Sequence, residues 1–101
     1  MFLIDEQRVW KLTQATNERR VIWKEVDGGA VEARVGKTTI TVNYAYASAI
    51  EVTISNSDIS DRAEFAMGTE DWTQWDELLS GARDQIMKAK VRRMTRDFDT
   101  L

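Results

Sequence analysis

Residues 31–55 read VEARVGKTTITVNYAYASAIEVTIS, and apolar side chains alternate with polar ones through most of this stretch. A period of two residues is typical of strands that bury one face and expose the other. Gly36-Lys37 interrupts the alternation and predicts a tight turn. The stretch therefore predicts three antiparallel strands, whose buried sides are Val31, Ala33 and Val35, then Ile40, Val42, Tyr44 and Tyr46, then Ile50, Val52 and Ile54.

The sheet is predicted to continue on both sides of this stretch. Residues 21–26 have a strand-like composition and lead into Asp27-Gly28-Gly29, a hairpin turn whose glycines accept a positive φ angle. Residues 56–61 form a predicted polar loop, after which Ala63, Phe65 and Met67 alternate as a short fifth strand. We therefore expect an antiparallel β-meander of four or five strands.

A helix is predicted at each end of the chain. Asp5 is the expected N-cap of the first helix, which should end near Asn17. Thr69 is the expected N-cap of a longer helix over about 69–97. One apolar stripe of this helix should cover the sheet, and its members are Trp72, Trp75, Leu79, Ala82 and Ile86, with Leu78 beside them. The predicted fold is α+β, in the order α-β-β-β-β-(β)-α, and forms a single domain over residues 1–101.

The long helix carries a second apolar stripe that cannot face the same way. Met87, Val91, Met94 and Phe98 follow each other at spacings of four, three and four residues. At 100° per residue this stripe is turned by roughly 130° from the first one. One straight helix cannot place both stripes on one sheet. The helix must therefore either break, with Ser80-Gly81 as the expected position, or extend beyond the sheet and bury its last apolar side chains elsewhere.

The composition excludes several kinds of chemistry. The chain has no cysteine and no histidine, so it lacks thiolate nucleophiles, the commonest general base and the commonest transition-metal ligand. Gly36-Lys37-Thr38-Thr39 ends like a phosphate-binding loop, but that motif requires glycine where this chain has Val31. No carboxylates have a spacing typical of a metal site. We predict no catalytic, metal-binding or cofactor-binding residue and no cofactor; a Ser–Lys or carboxylate-only mechanism is the remaining enzymatic alternative.

The charges are unevenly distributed along the chain. Residues 47–82 contain one Lys or Arg and eight Asp or Glu, whereas residues 83–101 contain six and three. The basic side chains of the second helix admit three interpretations: they complement the helix dipole, they border a protein-binding helix, or they bind nucleic acid or an anionic membrane surface. The isoelectric point of about 4.9 argues against the third. These side chains are Lys88, Lys90, Arg92, Arg93 and Arg96.

One part of the sequence resembles a known group of proteins. LTQATN at 12–17 and VIWK at 21–24 are followed by a glycine turn and an alternating strand. This order is similar to that of small bacterial domains of unknown function, in which a helix ending in Ala-Thr-Asn precedes a first strand that bears a tryptophan. The resemblance covers roughly residues 5–42. It implies a helix followed by a meander, and it implies no activity and no site residue.

These observations lead to a functional hypothesis. We expect a non-catalytic protein-interaction module of bacterial or phage type, whose second helix binds a protein partner or a second copy in a homodimer. The partner-binding residues are Met87, Val91, Met94 and Phe98. The alternative is a small nucleic-acid-binding regulator that uses the five basic side chains of that helix. A cytoplasmic location without membrane insertion is expected, because no apolar run approaches the roughly 20 residues that cross a bilayer.

Overall fold

The structure is a computed structural model and describes Phe2 and residues 4–101. Within those residues, two helices flank one antiparallel sheet in which each strand pairs with the next along the chain. The predicted α+β fold and the meander, including its fifth strand, are confirmed. The elements are α1 Glu6–Asn17, β1 Trp23–Glu25, β2 Val31–Val35, β3 Thr38–Tyr44, β4 Ile50–Ser55, β5 Ser60–Phe65 and α2 Glu70–Asp99.

The register of the strands places the apolar side chains on one face of the sheet. Val31 lies opposite Val42, and Val42 lies opposite Val52, so that a fully buried valine row crosses the three central strands. The neighbouring residues on the other face are polar; Glu32 lies opposite Thr41, which lies opposite Thr53. Because successive side chains alternate between faces, the predicted pattern fixes which face the helices cover.

Helix α1 begins and ends where the sequence predicts. The carboxylate of Asp5 accepts a hydrogen bond of 2.9 Å from the backbone N–H of Arg8, and the helix ends at Asn17. Its inner side is buried and includes Thr16, whose hydroxyl accepts a 2.9 Å hydrogen bond from the indole N–H of Trp23. This bond attaches the end of α1 to the first strand.

Helix α2 is continuous for 30 residues, so the predicted alternative of a break at Ser80-Gly81 is wrong. Thr69 caps it as predicted by accepting a 3.2 Å hydrogen bond from the N–H of Trp72. Gly81 does not break the helix. A Cβ atom at that position would lie 3.1 Å from the side-chain oxygen of Asn17 in α1. The glycine therefore allows α1 and α2 to approach closely.

The first apolar stripe of α2 lies on the sheet as predicted. Trp75, Leu78 and Leu79 are almost completely buried, and Ile86 is the last buried residue of the helix. At the β5 end, the ring of Phe65 stacks on that of Trp75 at a centroid distance of 6.1 Å, and Phe2 meets both rings edge-on. Aromatic contacts thus close the core on the side of β5.

Strand β1, Trp23–Glu25, is shorter than the strand predicted over residues 21–26. The backbone N–H groups of Arg20 and Val21 both donate to the carbonyl of Ala15, and Arg19 has a φ angle of 59°. The chain is still completing the C-terminus of α1 at this point, so it cannot yet pair with β2. This requirement of the helix end overrides the strand-like composition of residues 21 and 22.

Two further boundaries differ from the prediction. The fifth strand begins at Ser60 and ends before Met67, because the carbonyl of Ala66 accepts hydrogen bonds from Thr69 in the turn that precedes α2. Tyr46 lies outside β3, in a turn that leaves it 92% exposed. The Ala45 N–H donates to the Ala49 carbonyl within this turn, which removes Tyr46 from the sheet.

Candidate interaction site

The C-terminal part of α2 leaves the folded body. Ile86 is 8% exposed, and every residue from Met87 onward is exposed. We call residues 87–99 the projecting segment; at 1.5 Å per residue it is about 20 Å long. The principal extents of the molecule are 54 × 31 × 24 Å, so the molecule is elongated. The predicted extension of the helix beyond the sheet is thus present in the structure.

The four predicted partner-binding residues lie together on one side of the projecting segment. We call Met87, Val91, Met94 and Phe98 the apolar seam; their exposed fractions lie between 47% and 65%. At 100° per residue they fall within an arc of about 60°. Spacings of four, three and four residues are those of the a and d positions of a heptad repeat. The seam is therefore narrow and straight, as in a helix that pairs with another helix.

The seam is exposed because the sheet ends before it. Near the start of α2, the Trp72 indole N–H donates to the carbonyl of Ser48, in the turn between β3 and β4. Further along, Lys90 contacts Glu25 of β1, at a distance of 3.0 Å between ammonium and carboxylate. Helix α2 thus crosses the sheet toward β1, which is an edge strand. Among the described residues, no strand lies beyond that edge for the helix to cover.

Gln85 holds α2 immediately before the projecting segment begins. Its side-chain oxygen accepts a 2.7 Å hydrogen bond from the backbone N–H of Trp23, and its nitrogen donates to the carbonyls of Val21 and Thr16 at 2.9 and 3.3 Å. One side chain therefore joins α1, the start of β1 and α2. The sequence pattern gave no sign of this role, because a half-buried glutamine beside an apolar stripe resembles an ordinary surface residue.

A second set of contacts, on the exposed side of α2, adds to its buried stripe in fixing the rotation of the helix about its axis. The hydroxyl of Tyr44 donates to the carboxylate of Asp76, and the guanidinium of Arg83 lies 5.1 Å from the centre of the Tyr44 ring. Arg83 also donates to the carbonyl of Gly29 at 3.3 Å. The hydrogen bond to Asp76, with a smaller effect of burial, raises the pKa of Tyr44. Because the helix is rigid, these contacts also fix the direction in which the seam points.

The predicted basic residues surround the rest of the projecting segment. Lys88 and Lys90 flank the seam, whereas Arg92, Arg93 and Arg96 lie on the opposite side, at about 130–170° from the seam centre. Lys88 pairs with Asp84 at 2.9 Å, and Lys90 pairs with Glu25. Among the residues that the structure describes, no ion pair involves the three arginines. They therefore present the largest uncompensated positive charge of the segment.

An apolar groove of about 500 Å³ lies elsewhere, between α1 and the turn that joins β2 to β3. Arg8 and Arg20 stand at its rim, but each is already paired with a carboxylate, Asp5 at 3.1 Å and Glu18 at 2.7 Å. Lys11 is the third basic side chain of the lining, and one lysine beside an apolar groove does not by itself select a ligand. The projecting segment is the stronger candidate site.

Carboxylates of the strands form ion pairs with basic side chains, although Glu51 and Glu64 lie opposite each other on β4 and β5. Glu25 pairs with Lys90 on α2, and Glu51 pairs with Arg62 at 2.6 Å on the polar face of the sheet. In the part of the chain that the structure describes, no group of three or more His, Cys, Asp or Glu side chains is placed to hold a metal ion. Over the same residues, neither helix has the length and apolar character needed to span a bilayer.

Comparison with known proteins identifies no relative of this chain. No protein-family model matches the chain, and no curated protein or solved structure is significantly similar to it. The function must therefore be argued from the residues and geometry of the projecting segment.

Proposed function

We propose that this chain is a non-catalytic protein-interaction module that binds an amphipathic helix, of a protein partner or of a second copy, through the apolar seam. The observation that carries the proposal is the heptad spacing of four half-exposed apolar side chains on a helix that has left its own sheet. A core-facing helix normally shows a broader apolar stripe, of 100° or more. The seam covers only about 60°, which matches the contact width of a paired helix.

The continuity of α2 favours binding. An isolated helix of the length of the projecting segment would be marginally stable in water. Here the segment continues a helix whose first part is held by the core and by Gln85, so it is already ordered before a partner arrives. Binding therefore avoids most of the entropy cost of forming the helix.

The expected affinity follows from the size of the seam. Each seam side chain is about half exposed, so burying it should contribute about 1–1.5 kcal/mol. Two matched seams then give a gross gain of roughly 8–12 kcal/mol, against an association cost of at least about 4 kcal/mol. We therefore expect a reversible complex with a dissociation constant in the micromolar range or weaker, since 1 µM corresponds to about 8 kcal/mol.

The direct test places charges in the seam. Met87→Asp combined with Met94→Asp should abolish association, measured as solution mass by light scattering over a concentration series and as capture of partner proteins. The matched control is Ala89→Asp with Arg96→Gln, which changes the net charge equally on the opposite side of the helix. If the seam variant keeps both the mass and every captured partner of the unmodified protein, the proposal is wrong.

Nucleic-acid binding is the second candidate, because Arg92, Arg93 and Arg96 are exposed together on the side opposite the seam. Arginines that neutralise phosphates release counterions, so this binding should weaken steeply with salt. Arg92→Glu with Arg93→Glu should then remove a DNA or RNA mobility shift seen at low salt. The strongly acidic residues 47–82 oppose a polyanion. A lack of any shift at low salt for the unmodified protein would eliminate this candidate.

A further inference from the structure

We infer that the occupant of the seam is a second copy of this chain, and that the two projecting segments pack antiparallel about a two-fold axis that passes between residues 92 and 93. This inference rests on the proposed function and adds the identity and orientation of the partner. It is supported by the pairing of the seam residues, by the charges that flank them and by the placement of the two folded bodies.

The seam residues pair completely in this arrangement. Antiparallel helices bring an a position of one beside a d position of the other, because one heptad is read in reverse. Val91 then meets Met94 of the second copy, and Met87 meets Phe98 of the second copy. The two-fold axis repeats both contacts, so no seam residue lacks a counterpart. Each layer also contains one methionine, whose flexible side chain adapts to a branched or aromatic neighbour.

The charges beside the seam favour the antiparallel direction. Lys90 and Asp97 lie on the same flank, and antiparallel packing places Lys90 beside Asp97 of the second copy, twice per dimer. Lys90 has three N–H donors, so it can contact this aspartate and its own Glu25 together. In parallel packing, Lys90 would instead face Thr95 of the second copy, so this pair of opposite charges would not form. Electrostatic complementarity of this kind selects orientation more than affinity.

The charge of the two folded bodies, outside the projecting segments, is a third reason for antiparallel packing. Each chain has a net charge of −3, and residues 47–82 are strongly acidic. Parallel packing would place both bodies side by side at the same end of the paired helices. Antiparallel packing places them at opposite ends, where mutual repulsion is smaller. The paired length over residues 87–98 is about 18 Å, so the dimer should be small and should dissociate on dilution through the micromolar range.

Single engineered cysteines test the orientation, because the chain has no cysteine of its own. With helix axes about 8–10 Å apart, facing Cα atoms lie roughly 3.5–5.5 Å apart, within reach of a disulfide. Met87→Cys and Phe98→Cys proteins are mixed in equal amounts, oxidised, and separated by mass. Random collision would make the mixed dimer one half of the product. Antiparallel packing predicts a mixed fraction well above one half.

The possible results separate this inference from the proposed function. A product dominated by the two homodimers would mean parallel packing and would overturn the inference, while a seam-dependent dimer would still support the proposed function. A monomer that forms only collision-level crosslinks, but binds another protein through the seam, would also overturn the inference alone. A monomer whose binding partners are unaffected by Met87→Asp with Met94→Asp would overturn both.

A charge exchange provides an independent measurement on the full chain. Lys90→Asp should weaken the dimer roughly tenfold, since it replaces two attractive contacts by two repulsive ones. Lys90→Asp combined with Asp97→Lys should restore the dissociation constant, because the pair is re-formed with its signs exchanged. Thermal unfolding of the diluted monomer controls for the lost contact with Glu25. Equal dissociation constants for the three proteins, or a double variant as weak as Lys90→Asp, would contradict antiparallel packing.

Discussion

The two parts of α2 use similar side chains in different surroundings. From Glu70 to Ile86 the helix covers the sheet and its apolar stripe is buried, whereas the apolar seam of the projecting segment remains about half exposed. The two stripes differ in direction by roughly 130°, and the change occurs where the helix crosses the edge strand β1. One continuous helix therefore provides both part of the core and a separate surface, with no linker between them.

Truncating one side chain in each part of α2 should give the largest difference in the free energy of unfolding. Leu79→Ala removes a fully buried side chain and should lower the free energy of unfolding by about 2–5 kcal/mol. Met94→Ala removes an exposed side chain and should change the stability of the monomer by less than about 0.5 kcal/mol. Urea denaturation at a protein concentration below the dimer range measures both values.

The same two variants should have the opposite order of effect on self-association. Met94→Ala should weaken the dimer in a concentration series, whereas Leu79→Ala should leave the dimer intact wherever the protein remains folded. Far-ultraviolet circular dichroism confirms the folded state in each sample. A monomer that Met94→Ala destabilises as much as Leu79→Ala does would mean that the seam folds back on its own chain, and the distinction between the two parts of α2 would be lost.

A substitution at the junction between the two parts of α2 should give the next largest change in the free energy of unfolding. Gln85→Ala leaves the N–H of Trp23 and the carbonyl of Val21 without their side-chain partner, which should lower the free energy of unfolding by about 1–3 kcal/mol. Lys88→Ala is the matched control one helical turn away, because it removes only an exposed ion pair, worth about 0–1 kcal/mol. The measurement is again urea denaturation of the diluted protein. Equal losses for the two variants would mean that Gln85 does not hold the junction.

Local patterns in the sequence predicted most of the architecture. Ile50, Val52 and Ile54 alternate with polar residues and form β4, and Asp5 and Thr69 cap the helices as expected. The second stripe of α2 was also visible, because helical periodicity depends only on nearby residues. Whether the helix would break or project was left open by the sequence. That outcome depends on where the sheet ends, which is a property of the assembled fold.

Contacts between distant residues account for what the sequence did not predict. Gln85 bonds Trp23 across 62 positions, and Tyr44 bonds Asp76 across 32. Neither pair belongs to a periodic pattern, so neither could be identified before the elements were placed together. The short first strand has a local cause instead, because the N–H of Val21 donates to the carbonyl of Ala15, six residues earlier at the end of α1, rather than pairing with β2.

Removing the hydrogen bond between Tyr44 and Asp76 should give the smallest change in the free energy of unfolding, and that change should depend on pH. Tyr44→Phe removes the hydrogen bond to Asp76 and should lower the free energy of unfolding at neutral pH by about 0.5–1.5 kcal/mol. That bond also raises the pKa of Tyr44 above its ordinary value of 10.0, so the folded state retains the proton at a pH where the unfolded chain loses it. The stabilisation is therefore fully present below about pH 10 and is lost as the pH rises through the pKa of the folded state.

Urea denaturation between about pH 8 and pH 11 measures this slope, since the unperturbed tyrosine pKa is about 10. The informative quantity is the difference in the free energy of unfolding between the unmodified protein and Tyr44→Phe. This difference should shrink as the pH rises. Tyr46→Phe is the control, because it removes a tyrosine hydroxyl from an exposed turn and leaves the hydrogen bond between Tyr44 and Asp76 in place. A pH-independent difference between Tyr44→Phe and the unmodified protein would show that the Tyr44 proton is not held by Asp76, and the rotation of α2 would then depend on its buried stripe and on Gln85.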